Sequence, residues 1–212
     1  MTILLDHIYG AVLDGNRSAV TLRVREAIAE GLAPQAILSA MTRSMQTVGE
    51  LFQKGEYFVP EMLVAARAMQ QGTELLRPHL VETGSKPLGT VVAGTVRGDL
   101  HEMGKNLVCM LLECAGFRVL DLGMDVAPDD FVQAVQENQP EIVALSALLT
   151  TTMPNMEVTI EALDKASLRQ HVKVIVGGAP VTEAFARKIR ADGYARDASQ
   201  AVNLVKRLIA AG

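Results

Sequence analysis

Near residue 89 the spacing of apolar residues changes. Before it, apolar groups recur at helical spacing. After it, short β-branched runs alternate with helical stretches. A chain with this switch reads as a helical unit followed by an α/β unit. In the first part, residues 3–13 carry a helical pattern that Asp14-Gly15-Asn16 breaks. A second helix is expected over residues 17–30, with Gly31 where a C-terminal cap belongs. Pro34 opens a third, whose stripe is Ile37, Leu38, Met41, Met45, Val48, Leu51 and Phe52. Pro60 opens a fourth, with Met62, Leu63, Ala66, Met69 and Leu76 inward. Short loops between four helices predict an antiparallel bundle over residues 1–80.

Residues 81–88 (VETGSKPL) read as a linker, being polar with Gly and Pro. Residues 89–212 then supply five strand-like runs, at 89–95, 117–122, 141–146, 172–176 and, more weakly, 193–195. Helices are expected near 104–115, 128–138, 154–169, 182–191 and 198–211. Near-continuous apolar strands alternating with helices predict a parallel sheet covered on both faces. Five of them favour a flavodoxin-like order, a Rossmann-type arrangement.

The balance of charge limits the partners. The net charge is −4, aromatic residues are 4% and Trp is absent. A nucleic-acid or membrane surface is therefore not expected. A cytoplasmic protein is expected, since no basic stretch followed by a long apolar run opens the sequence and no 18-residue apolar run occurs. Cys109 and Cys114, five apart in an apolar stretch, do not have metal-ligand spacing and read as core residues.

Ligands of open parallel sheets sit beyond the carboxyl ends of the strands. After the first run comes Val96-Arg97-Gly98-Asp99-Leu100-His101-Glu102-Met103-Gly104. After the third comes Ser146-Ala147-Leu148-Leu149-Thr150-Thr151-Thr152. After the fourth comes Gly177-Gly178-Ala179-Pro180, and after the fifth Arg196-Asp197-Ala198-Ser199. One histidine, several hydroxyls and paired glycines on one edge suggest a large flat ligand with a single axial donor.

Asp99-x-His101-x-x-Gly104 resembles the DxHxxG motif of cobalamin-binding domains. The SxL of Ser146 and Leu148 follows, and then the GG of Gly177 and Gly178. The gaps are 41 residues from Gly104 to Ser146 and 28 from Leu148 to Gly177, both similar to the family spacing. Residues 48–60, VGELFQKGEYFVP, resemble the helical cap beside this domain in methionine synthase and in corrinoid proteins of methylotrophic methyltransferases. The nearest resemblance is to small corrinoid proteins serving methanol, methylamine, betaine or methoxyarene demethylation.

The resemblance implies a cobalamin or related corrinoid, held as methylcobalamin or cob(I)alamin, with His101 as the lower axial ligand to cobalt. Asp99 would bond the other ring nitrogen, and Thr152 would complete the relay where serine stands in methionine synthase. Thr152 also reads as the N-cap of the next helix. Gly98, Leu100, Glu102, Gly104, Thr150 and Ala198 fall at corrinoid-touching positions. Ser146, Leu148, Gly177 and Gly178 would serve the nucleotide tail, although a glycine after a strand is also ordinary turn chemistry. Phe52 and Val59 match cap positions over the methyl-bearing face, though helical spacing alone makes both bundle core. Leucine is more usual at Val59, and Leu38 and Gln46 stand where the family sometimes has Glu or Asn. The cap would swing about the linker near Gly84 and Pro87. The implied function is a methyl shuttle, without turnover alone. A substrate-specific methyltransferase would load it, a second would pass the methyl to tetrahydrofolate or a thiol, and a reductive activation protein would restore it. Three alternatives stand beside this. A radical-mutase subunit lacks the helical cap. A cobalamin-dependent sensor calls for a DNA-binding domain and a cap Trp. A non-cobalamin flavodoxin-like binding module predicts no cobalt uptake.

Overall fold

The computed structural model describes residues 2–82 and 86–211, and the chain divides into two compact units, Met1–Lys86 and Pro87–Gly212. The middle of the expected linker, including the hinge position Gly84, lies outside the described residues. Pro87 opens the second unit.

The first unit has four helices: α1 (Thr2–Leu13), α2 (Arg17–Ala29), α3 (Pro34–Gln53) and α4 (Val59–Glu82). Asn16 caps α2 by accepting the Ala19 N–H at 3.0 Å, and Pro34 opens α3 at its first position. Ile37, Met41, Met45 and Val48 of the α3 stripe are buried, as are Met62, Ala66, Met69 and Leu76 of α4. Leu38, Leu51, Phe52 and Leu63 are only half-buried. Small residues set the closest approach: a Cβ on Gly72 of α4 would come within 2.8 Å of the Met41 side chain. Pro78 lies inside α4, which continues past it to Glu82.

The second unit alternates β1 (Thr90–Thr95), α5 (Met103–Cys114), β2 (Arg118–Asp121), α6 (Pro128–Asn138), β3 (Ile142–Ser146), α7 (Pro154–Lys165), β4 (Lys173–Gly177), α8 (Glu183–Lys188), β5 (Gly193–Ala195) and α9 (Ala198–Ala210). All four strand pairings are parallel, in the order β2-β1-β3-β4-β5. This is the expected flavodoxin-like order. Two apolar layers enclose the sheet. One packs Val92, Val143, Leu145, Val174 and Val176 with Phe131, Met156, Ile160 and Leu163. The other packs Val91, Ile142 and Ile175 with Leu112, Leu204 and Val205. The alternating faces of β1, β3 and β4 are thus both buried, which is why these strands read as nearly unbroken apolar runs.

Two helices are shorter than their apolar pattern. α7 stops at Lys165 instead of residue 169, because Ser167 turns left-handed (φ 58°) and a 3₁₀ turn, Arg169–His171, follows. α8 begins after Thr182, whose hydroxyl caps it by accepting the Phe185 N–H at 3.2 Å. Among the described residues no helix is long and apolar enough to cross a membrane.

Candidate functional site

The topology places the site. β1 and β3 are neighbours, but the chain leaves β1 for β2 on one side and β3 for β4 on the other. The loops after β1 and β3 therefore diverge and leave a crevice at the carboxyl edge of the sheet. Asp99 spans that crevice. It is fully buried, and its carboxylate joins residues about fifty positions apart. Oδ2 accepts the Leu148 N–H at 2.7 Å, the Leu149 N–H at 3.3 Å and the Thr152 hydroxyl at 2.6 Å. Oδ1 faces His101, accepting its backbone N–H at 3.1 Å and its ring Nδ1 at 2.7 Å. Burial alone would raise the Asp99 pKa. The bonds from Thr152, Leu148 and His101 outweigh it and hold the carboxyl well below the usual carboxylate range.

An ionised carboxylate can only accept, so Nδ1 of His101 carries the hydrogen. In the neutral imidazole the Nε2 lone pair is then what the ring can offer a metal, and the side chain is 49% exposed. The backbone of His101 is held from both sides. Asp99 takes its N–H, and the Thr95 hydroxyl donates to its carbonyl at 2.9 Å. Thr95 ends β1 and is fully buried. It was not among the residues singled out from the sequence, because a hydroxyl at a strand end carries no motif of its own.

Thr152 does not cap α7. The helix begins from Met153, which makes no side-chain cap bond, and the Thr152 hydroxyl turns instead to Asp99, with the Leu149 carbonyl 3.0 Å away. Leu100, Glu102 and Gly104 share the His101 loop and the start of α5, all exposed. A Cβ on Gly104 would meet nothing within 4 Å. Gly98 has φ 83°, a conformation that favours glycine. Around His101 stand Leu100, Met103, Leu148 and Leu149, 65%, 85%, 41% and 42% exposed. Exposed apolar side chains next to an imidazole are a feature of ligand surfaces.

The remaining positions are distributed as follows. Ser146 ends β3 half-buried, and Thr150 is exposed in the same loop as Leu148. Gly177 ends β4 and Gly178 follows it, but their missing side chains are required by the protein's own backbone. A Cβ on Gly177 would sit 2.9 Å from the Ala195 carbonyl oxygen, and one on Gly178 (φ 128°) would overlap that of Ala147. Ala198 is buried in the first turn of α9, behind Asp197, which caps that helix. Phe52 is half-buried near the end of α3 and Val59 is exposed at the start of α4. Both belong to the helical unit. His7 and His171 are exposed and His79 is half-buried.

Among the described residues no cluster of three or more His, Cys, Asp or Glu is placed to hold a metal ion. His101 offers one neutral nitrogen beside an apolar rim. That donor set suits a metal that arrives with its own equatorial ligands in a flat organic ring. The site therefore fits a corrinoid on its own chemistry.

Comparison with known proteins decides the family. The sequence matches the B12 binding domain over residues 89–203, and a second B12 binding domain family matches residues 4–77. The chain belongs to the B12-binding family. It binds a cobalamin-type corrinoid. Among the relatives of this B12-binding chain, dimethylamine corrinoid protein 1 of Methanosarcina acetivorans is 42% identical over 208 residues, with 98% of each chain covered. Trimethylamine corrinoid protein of Methanosarcina barkeri is 47% identical over 184 residues, 85% of each. The crystal structure of a cobalamin-binding protein from Desulfitobacterium hafniense superposes with a TM-score of 0.83 at 35% identity, covering 96% of this chain and 98% of that one. A chain of the methanol:cobalamin methyltransferase complex of Methanosarcina barkeri gives 0.86 at 30% identity, covering 99% of this chain and 80% of its own.

Proposed function

We propose that this chain is a methyl carrier, taking a methyl group from a donor-specific methyltransferase and handing it to a second one. The observation that supports the reading most is the Asp99–His101 pair, which leaves Nε2 of a half-exposed ring next to the exposed Leu100 and Met103. When bound, the corrinoid supplies the cobalt that accepts and releases the methyl group. His101 would hold the corrinoid's cobalt through Nε2, the ring nitrogen that Asp99 leaves unbonded. Asp99 fixes the tautomer and makes the imidazole a stronger donor. Thr152 donates to Asp99 and keeps its second oxygen turned from the solvent. Leu100, Leu148 and Leu149 would offer the corrinoid apolar contact, and Gly104 would leave room for its close approach. Gly98, Glu102, Thr150 and Ser146 would complete the binding surface on the same edge, with the buried Ala198 behind it. Gly177 and Gly178 act one step removed, by letting the ends of β3, β4 and β5 close together under the ligand.

The names of the relatives favour a methylamine as the donor class. The likeness to a methanol-linked complex keeps methanol in the comparison. The acceptor of the second enzyme would be tetrahydrofolate or a thiol, and a reductive activation protein would be a further partner.

The test is spectroscopic first. Full-length protein reconstituted with hydroxocobalamin should hold one corrinoid per chain. Reduced to cobalt(II), its electron paramagnetic resonance should show splitting that changes when histidine is isotopically labelled. His101→Ala should abolish that change while the protein stays folded. Splitting that is indifferent to the label overturns the assignment of His101. A donor panel of methylamines and methanol, each with its methyltransferase, then identifies the loading partner by which one methylates the bound corrinoid.

A further inference from the structure

The loop after β2 carries no histidine and no paired glycine, yet it is bonded to the end of β1 and to the turn that leads into His101. Thr95 N–H donates to the Gly123 carbonyl, and Val126 N–H to the Thr95 carbonyl, both at 3.0 Å. Between them stands Asp125. Its Oδ1 accepts the Gly98 N–H at 2.6 Å, and its own N–H donates to the Asp99 carbonyl at 3.0 Å. Asp125 has φ 55°, in the left-handed region that Gly, Asn and Asp tolerate best.

The geometry of residues 96–99 shows why the carboxylate matters. Asp99 N–H donates to the Val96 carbonyl at 3.1 Å and closes a β-turn, with Gly98 third at φ 83°. In such a turn the N–H of the third residue points outward and has no acceptor inside the turn. Asp125 supplies that acceptor from a loop 27 positions away. The same residue grips the next peptide through the Asp99 carbonyl. Both ends of the Gly98–Asp99 peptide pair are thus set by one side chain and its own backbone.

We propose that Asp125 is a positioning residue for the axial ligand. It fixes the turn that delivers Asp99, and Asp99 in turn aims the His101 ring. The inference rests on the reading of His101 as the cobalt ligand. The hydrogen bonds of Asp125 run to the Gly98 N–H and the Asp99 carbonyl, and it acts through them.

Two substitutions separate the side chain from the backbone conformation. Asp125→Gly keeps the left-handed φ without strain and removes the acceptor. Asp125→Asn keeps both, since its carbonyl oxygen can take the Gly98 N–H. In full-length protein reconstituted with hydroxocobalamin and reduced to cobalt(II), the readout is the fraction of cobalt split by isotopically labelled histidine. Asp125→Asn should match the wild type. Asp125→Gly should shift the ratio of histidine-bound to histidine-free cobalt about fivefold toward the free form, the size expected for one lost hydrogen bond. A purely conformational role predicts that Asp125→Gly matches the wild type, and that result overturns the proposal. Absence of labelled splitting in the wild type overturns the His101 assignment and this inference with it, and so is distinguishable. If Asp125→Gly does not fold, amide exchange of Gly98 in the wild-type protein decides. Protection supports the bond to Asp125, and exchange at the rate of a free peptide overturns it.

Discussion

The two edges of the sheet are built around similar carboxylates and end in opposite states. At the amino edge Asp192 accepts the Val174 N–H at 2.7 Å and Arg169 at 2.7 Å, with Lys173 at 3.7 Å. Arg169 spends its other hydrogens on the carbonyls of Val172 and Arg190. Glu141 there takes the Thr90 N–H at 2.7 Å. These donors are occupied with the protein's own backbone. At the carboxyl edge Asp99 likewise gathers backbone N–H groups and side chains, but one partner is an imidazole with a second nitrogen to offer. A carboxylate thus makes a clamp at one edge and the centre of the candidate site at the other. The difference lies in what the last donor has left over.

Asp99→Asn should break this contrast with the largest effect. The amide would turn an N–H₂ toward either the Leu148 or the His101 N–H, and buried donors would lose their acceptor. A loss of about 3 kcal/mol in urea unfolding is expected, together with failure to retain hydroxocobalamin on gel filtration. Asp192→Asn, at a site still partly open to water, should cost about 1.5 kcal/mol and leave corrinoid retention unchanged. Comparable loss of corrinoid from both variants would mean that the edges are not functionally distinct. Thr152→Val should cost about 1 kcal/mol, since it removes one hydroxyl from Asp99, and Thr152→Ser should restore it.

The smallest effect is expected between the edges. Burial first, and the nearby carboxylates of Asp121 for Cys109 and Glu113 for both, push the Cys109 and Cys114 thiols up to about 12. At pH 8 neither should react with an aromatic disulfide until urea is added. The protonated thiols favour the folded state fully below the ordinary cysteine value of 9.0, and that contribution is lost as pH rises from there toward 12. Cys109→Ser and Cys114→Ser should therefore flatten the alkaline limb of a stability profile. An unchanged limb would show that the thiols do not supply it.

Much of this was legible before any coordinates. The apolar runs and the proline and glycine punctuation determine the strands and most helices, because burial on both faces leaves a pattern in the chain itself. The exceptions are local: nothing in residues 154–169 announces that Ser167 turns left-handed and ends α7 early. Asp99, His101 and Thr152 were legible through a motif. Thr95 and Asp125 were not, because each acts on a backbone atom of a loop that only folding brings near. Gly177 and Gly178 were legible as glycines, but the atoms that require them, carbonyls of Ala195 and Ala147, belong to neighbouring segments.

The grip on His101 has a consequence for how a ligand enters. With its N–H taken by Asp99 and its carbonyl by Thr95, the peptide on each side of the imidazole is already ordered in the free protein. The entropic cost of orienting the ring falls on folding, and little of it remains for association. Loading should then behave as encounter with a rigid socket. Its rate should follow corrinoid concentration linearly, without the plateau that a slow loop closure would impose.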